Sequence, residues 1–166
     1  MEPTIARLTP DLQQFVESIG LYFEQYQLPR IGGRILGLLM LSDRPRSLED
    51  MAETLLVSRA SVSTNIRLIV MAGLAEQISI PGDRRDYYQY TQNAWEREFD
   101  VNIEGTKQLR RLAERGLSAL PPGDSAVRAH LEETIEFCDF SLEEYADMLT
   151  RWRTHQTIRG RKTDAS

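Results

Sequence analysis

The stretch Ser58-Arg-Ala-Ser-Val-Ser-Thr-Asn-Ile-Arg67 places four hydroxyls and two guanidiniums within ten residues, and Arg84-Arg85 follow in a second polar stretch, Pro81-Gly-Asp-Arg-Arg85. These groups donate hydrogen bonds and carry positive charge, the chemistry that holds phosphate oxygens and reads the edges of bases. Spacing decides whether they act together. At about 100° per residue, Val62, Ile66 and Ile69 share a narrow arc, with Ser58 and Asn65 at one edge. Ala60, Thr64 and Arg67 lie opposite, flanked by Ser61 and Ser63, while Arg59 sits in the first turn. A face that small and polar can enter a major groove. The candidate DNA-binding residues are therefore Ser58, Arg59, Ala60, Ser61, Ser63, Thr64 and Arg67, joined by Arg84 and Arg85. Each half of this pattern has a plain alternative: a Ser/Thr-rich helix face is often only solvated, and an Arg-Arg tip often only a soluble turn. Their conjunction in one stretch points to DNA.

The flanking elements must position these groups. Ser47 before Leu-Glu-Asp50 approximates a capping box and predicts a helix to about Leu56. Val57 is the turn, and Ser58 caps a second helix that reaches about Ala72, where Gly73 ends it. Leu74–Ile80 alternates partly and reads as a strand. Asp86-Tyr-Tyr-Gln-Tyr-Thr91 is rich in β-formers and returns as its partner. Two helices joined by a short turn and followed by a two-stranded hairpin have the order of a winged helix-turn-helix.

Around this unit the chain is helical. Leu12, Phe15 or Val16, Ile19, Tyr22 or Phe23, and Tyr26 give residues 10–27 one wide apolar face. Ile31–Leu41 is nearly all apolar, and Gly32, Gly33 and Gly37 thin it for close helix approach. A long helix is expected over 92–119. A second runs from about Asp124 to His155, with Val127, Leu131, Ile135, Cys138, Leu142, Tyr145, Leu149 and Trp152 stepping near a heptad seam. The fold class is thus mostly α with a small β-hairpin: a winged helix-turn-helix at 29–91, an N-terminal dimerisation helix within 1–28, and long linker and dimerisation helices over 92–155. Residues 156–166 are poor in apolar content and are expected as a flexible tail. The seam through Leu131, Ile135, Leu142 and Tyr145 is expected to pair two copies, with packing against the same chain's first helix as the competing account and both uses expected together.

The 166 residues carry 20 Lys+Arg against 25 Asp+Glu, a formal charge of −5, which on average disfavours a polyanion. The sign changes by region. Residues 29–91 hold eight arginines (30, 34, 44, 46, 59, 67, 84, 85) and seven acids, net +1, and the remainder is −6. The reading head is locally cationic, and the acidity gathers in the last long helix.

Several classes are excluded by absence. The longest apolar run, Ile35–Leu41, is far short of the roughly 20 residues a membrane span needs, and no signal peptide is read, so a cytoplasmic location is expected. Cys138 is alone, and His130 and His155 are isolated, so no metal site and no cofactor are expected. No nucleophile–base motif or glycine-rich phosphate loop is present, so no enzyme is expected. A winged helix used only for protein–protein assembly, without sequence-specific DNA binding, is the alternative. Ten of the 13 aromatics lie outside the wing unit. With Glu17, Glu24 and Glu136 they could hold an organic cation, though plain core and interface packing is the weightier account. No ligand-binding residue is named.

Leu28-Pro-Arg-Ile-Gly-Gly-Arg-Ile-Leu-Gly37, Ser47-Leu-Glu-Asp-Met-Ala-Glu53 and Leu56-Val-Ser-Arg-Ala-Ser-Val-Ser-Thr-Asn65 resemble the MarR superfamily of winged-helix regulators, as do Gly73-Leu-Ala-Glu76 and Pro81-Gly-Asp-Arg-Arg85. The likeness is nearest to its GbsR-type branch, named for a repressor of glycine betaine synthesis. It implies a homodimer built from the terminal helices, a recognition helix at 58–72 and a wing at 74–91. It also implies double-stranded DNA with a two-fold operator as partner, and transcriptional control, commonly repression relieved by a small-molecule effector. Neither the effector nor the sign of regulation follows from it.

Overall fold

A computed structural model describes residues 8–123 and 125–163, the side chains of Ser125 and residues 160–163 excepted. The order is α1 (Pro10–Gln25), α2 (Arg30–Met40), β1 (Arg46–Ser47), α3 (Leu48–Leu55), α4 (Arg59–Met71), β2 (Ala75–Ile78), β3 (Tyr87–Tyr90), α5 (Ala94–Ala119) and α6 (Ser125–Thr163). The chain divides into two compact units, at Glu98 and Phe99.

In the first unit, α1 begins where Thr9 Oγ1 accepts from the Leu12 amide and Pro10 takes the first helical position, which needs no amide donor. Helix α2 packs against it at a distance that only glycine permits. A Cβ on Gly33 would lie 2.5 Å from the Ile19 carbonyl oxygen and 2.9 Å from Gly20 Cα. The expected close helix approach is therefore located on α1.

Helices α3 and α4 start as their caps dictate: Ser47 Oγ accepts from the Asp50 amide, and Ser58 Oγ from the Ser61 amide, each at 3.1 Å. Leu56 closes α3 in the left-handed region at φ 55°. Helix α4 ends at Gly73, φ 74°, whose amide donates to Val70 while the Leu74 amide donates to Ile69. These are the two bonds of a Schellman motif.

The apolar sides of these elements converge on one core. Ile35, Leu38, Leu39, Met51, Val62 and Ile66 are fully buried, with Leu48, Leu55, Ile69, Ala75 and Tyr88 around them. Each such aliphatic side chain contributes about 1.5–3 kcal/mol on burial. The hairpin pairs Ala75 with Tyr90 and Ile78 with Tyr87. It also gains a third strand that the sequence reading omits: β1 pairs Arg46 with Tyr88, giving the order β1-β3-β2. Two residues behind Pro45 leave no alternation to detect.

The second unit holds most of α5 and all of α6, joined through Leu120–Gly123. Phe99 and Tyr145 meet with ring centroids 6.4 Å apart. Arg110 donates to both carboxylate oxygens of Asp139 and to Glu114. A Cβ on Gly116 would lie 3.4 Å from Leu131. The heptad seam thus packs on α5 of the same chain, and Cys138 is sealed within it. Leu131, Ile135, Leu142 and Tyr145 stay half-buried there, so the seam expected to pair two copies also serves within the chain. Periodicity shows that a helix has a partner, not which chain supplies it. A difference from the expected layout lies at the end of α6, which runs to Thr163 where a tail from residue 156 was expected. Adding residues to an existing helix needs no further apolar content, and no proline stops it. The rest of that tail, 164–166, and the first seven residues of the N-terminal segment lie outside the described residues.

Candidate nucleic-acid interface

Helix α4 presents two faces. Val62, Ile66 and Ile69 are buried in the core, and Asn65, buried beside them, donates to the Ser61 carbonyl at 2.8 Å. Ser58, Arg59, Ala60, Thr64 and Arg67 are exposed, and Ser61 and Ser63 half-exposed. The predicted division of the helix is thus the observed one. Two of its hydroxyls are already engaged: Ser58 Oγ caps the helix and donates to Ser61 Oγ at 3.0 Å. Ser58 is accordingly a structural cap first, and Ala60 offers only small size. Ser61 only accepts in that bond, so the side chains still able to donate outward are Arg59, Ser61, Ser63, Thr64 and Arg67, with Leu68 and Met71 exposed at the far end.

The wing tip has an internal order that the sequence reading missed. Asp83 Oδ1 accepts from the Arg85 amide and Nε, each at 3.0 Å, and Oδ2 accepts from Arg85 Nη2 at 2.6 Å and Tyr87 Oη at 2.8 Å. The Arg85 guanidinium also lies 5.3 Å from the centroid of the Tyr87 ring. Hydrogen bonds from Arg85 and Tyr87 hold the Asp83 carboxyl far below its usual range, and the same contact raises Arg85. Arg85 is therefore a placed guanidinium. Arg84 beside it is exposed and forms no ion pair among the described residues.

The regional charge argument changes with these contacts. Arg30 and Arg34 both bind Glu17 on α1, and Arg34 also donates to the Leu55 carbonyl. Arg46, 5% exposed, is tied to Ser42 and Asp50. Three of the eight arginines therefore serve the fold. Glu17, engaged twice, is also withdrawn from the carboxylates considered for an organic cation. Arg59 Nε donates to Glu49 Oε1 at 2.5 Å. Glu49 belongs to a cleft of about 290 Å³ beside the wing, lined also by Arg44, Asp50, Glu53, Arg85 and Tyr87. Glu49 was not among the predicted site residues. Its pairing crosses from α3 to α4, and a spacing of ten residues gives no helical signal.

An exposed hydroxyl and guanidinium face on the second helix of a helix-turn-helix, next to a three-stranded sheet with an arginine tip, defines a winged-helix protein of the DNA-reading class. The comparisons agree. A family profile described as MarR family matches residues 26–86, and one described as MmpR5-like MarR family transcriptional regulator matches residues 93–155. The chain is 34% identical over 144 residues to the HTH-type transcriptional regulator MmpR5 of Mycobacterium tuberculosis (strain ATCC 25618 / H37Rv), covering 86% of this chain and 87% of that protein. It is 25% identical over 84 residues to the HTH-type transcriptional repressor OpcR of Bacillus subtilis (strain 168), covering 51% and 45%. A crystal structure described as a transcriptional regulator superposes with a TM-score of 0.80 at 33% identity, over 87% of this chain and 99% of that one. The chain belongs to the MarR family of transcriptional regulators, whose winged helix is a DNA-binding unit. Among the described residues, no helix is long and apolar enough to cross a membrane.

Proposed function

We propose that this regulator binds a two-fold DNA site as a homodimer in the cytoplasm and represses transcription until a small-molecule effector releases it. The observation that carries the DNA reading is the pairing, within one unit, of the exposed α4 face with a wing tip whose Arg85 is held in place. Helix α4 enters the major groove with Arg59, Ser61, Ser63, Thr64 and Arg67. Arg84 and Arg85 meet the backbone or the minor groove alongside.

One such head covers few base pairs, whereas two related by a two-fold axis read half-sites about one helical turn apart. Support for a second copy is the apolar surface left after α5 and α6 have packed on each other. Phe137 (64% exposed), Phe140 and Met148 on α6, with Leu109 and Leu112 on α5, remain open to solvent. Sedimentation at micromolar concentration should give a dimer; a monomer contradicts this part. The GbsR-type branch is proposed as the nearer relationship on the strength of Leu28–Gly37 and Leu56–Asn65. Repression is favoured by that likeness, and OpcR, the shorter match, is itself described as a repressor.

Selection of genomic fragments by the purified protein at moderate salt tests the reading. Enrichment of a sequence with two related half-sites is expected. Failure to enrich any sequence would support a DNA-blind assembly module instead. Repeating the selection with osmolytes and drug-like cations present tests for the effector, which should lower the enrichment.

A further inference from the structure

Among the predicted DNA contacts on α4, Arg59 is the one held by an acid. Its Nε donates to Glu49 Oε1, and among the described residues its guanidinium makes no other hydrogen bond. An arginine whose Nε is spent on a carboxylate keeps both Nη groups as a fork, the edge that pairs with O6 and N7 of guanine. Glu49 lies in the first turn of α3 and lines the cleft that also holds Arg85, so its charge stands between the reading helix and the wing. The pair is solvent-exposed. Pairs of that kind add little to folding stability, so its main consequence is where it puts the guanidinium. The bond from Arg59 also keeps the Glu49 carboxyl below the usual carboxylate range, so it stays charged at neutral pH.

We propose that Glu49 is a specificity-determining positioning residue, which turns the Nη edge of Arg59 toward a guanine in the major groove and repels phosphates that would otherwise capture the same guanidinium. The proposal rests on the DNA-reading function above. An unbuttressed arginine at this position is a mobile cation that any phosphate satisfies. A buttressed one has lost part of that freedom before binding and gains most where a guanine presents two acceptors.

The test compares wild type with Glu49→Gln, Arg59→Ala, the double variant and Glu53→Gln, in competition between the selected site, its single-base variants and a random duplex, across a salt series. Glu53 lines the same cleft but has no bond to Arg59, so Glu53→Gln removes the same charge and leaves the buttress. Arg59→Ala should abolish preference at one base pair per half-site, by roughly 5- to 150-fold. Glu49→Gln should relax preference at that same base pair by about tenfold or more. It should also tighten binding to random duplex and steepen its log–log salt slope by about 0.9 as Arg59 turns to a phosphate. In the Arg59→Ala background Glu49→Gln should change nothing further, and Glu53→Gln should leave the base preference at wild type. The proposal is overturned if Glu49→Gln keeps full preference, if its effect persists without Arg59, or if Glu53→Gln reproduces it. Wild type that enriches no sequence would overturn the DNA reading and this proposal together, whereas wild type that binds its site while Glu49→Gln is silent overturns this proposal alone.

Discussion

On α4, the guanidinium of Arg59 is held by Glu49, while that of Arg67 farther along has no acid paired with it among the described residues. The wing repeats the arrangement: Arg85 is gripped by both oxygens of Asp83, and Arg84 next to it is exposed and forms no ion pair among the described residues. The likeness teaches a division of labour. A restrained arginine has its direction set in advance, which suits a geometrically demanding base or groove contact. An unrestrained one carries net charge and adapts to whichever phosphate is near. The two regions differ in what restrains them. On the wing the tie is local, two residues apart along the chain. On α4 it crosses between helices and depends on the packing of the helix-turn-helix.

That dependence gives the largest expected effect. Ile66→Ala removes a fully buried side chain from beneath the reading face and should destabilise the first unit by about 2–5 kcal/mol. The denaturant midpoint should fall with little change in slope. A shift under about 1 kcal/mol would mean that α4 is seated by something other than this core. Next come the restrained arginines: Arg59→Ala and Arg85→Ala should each reduce discrimination between the selected site and its variants by about 1–3 kcal/mol, read by competition binding. The unrestrained pair should behave differently. Arg84→Ala and Arg67→Ala should weaken all duplexes alike and lower the magnitude of the log–log salt slope by about 0.9 each. Equal slope changes for all four arginines would erase the comparison.

The smallest effect is one of pH. Because the Asp83 carboxyl is depressed, the wing restraint is complete above the ordinary carboxylate value of 3.8 and is lost only as pH falls through the lowered one. Wing conformation should therefore be unchanged between pH 5 and 8. A carboxyl titration followed by NMR should place the Asp83 midpoint below 3.8, and Arg85→Ala should return it toward that value. An ordinary midpoint in the wild-type protein would remove the restraint from the account.

Much of the fold is legible in single residues. Ser47, Ser58 and Gly73 mark the ends of α3 and α4 because caps are chemistry local to the chain. The alternation of Val62, Ile66 and Ile69 with Arg59, Thr64 and Arg67 announces the two faces of the helix. What is not legible is partnership across elements. Strand β1 exists through its pairing with Tyr87 and Tyr88 and has no pattern of its own. Glu49 meets Arg59 only once α3 and α4 have crossed. The seam on α6 is evident from its spacing, yet its use against α5 is a property of the folded unit. The cationic balance of residues 29–91 likewise conceals that Arg30, Arg34 and Arg46 are committed to internal acids. Counting charges does not reveal which are free.

The most direct test of the DNA reading is the ratio of affinities of the wild-type protein for its selected site and for a random duplex of equal length, measured at one moderate salt concentration. A ratio of about 10³ or more is predicted for a sequence-specific regulator. A ratio near one, with both affinities falling equally as salt rises, would contradict it.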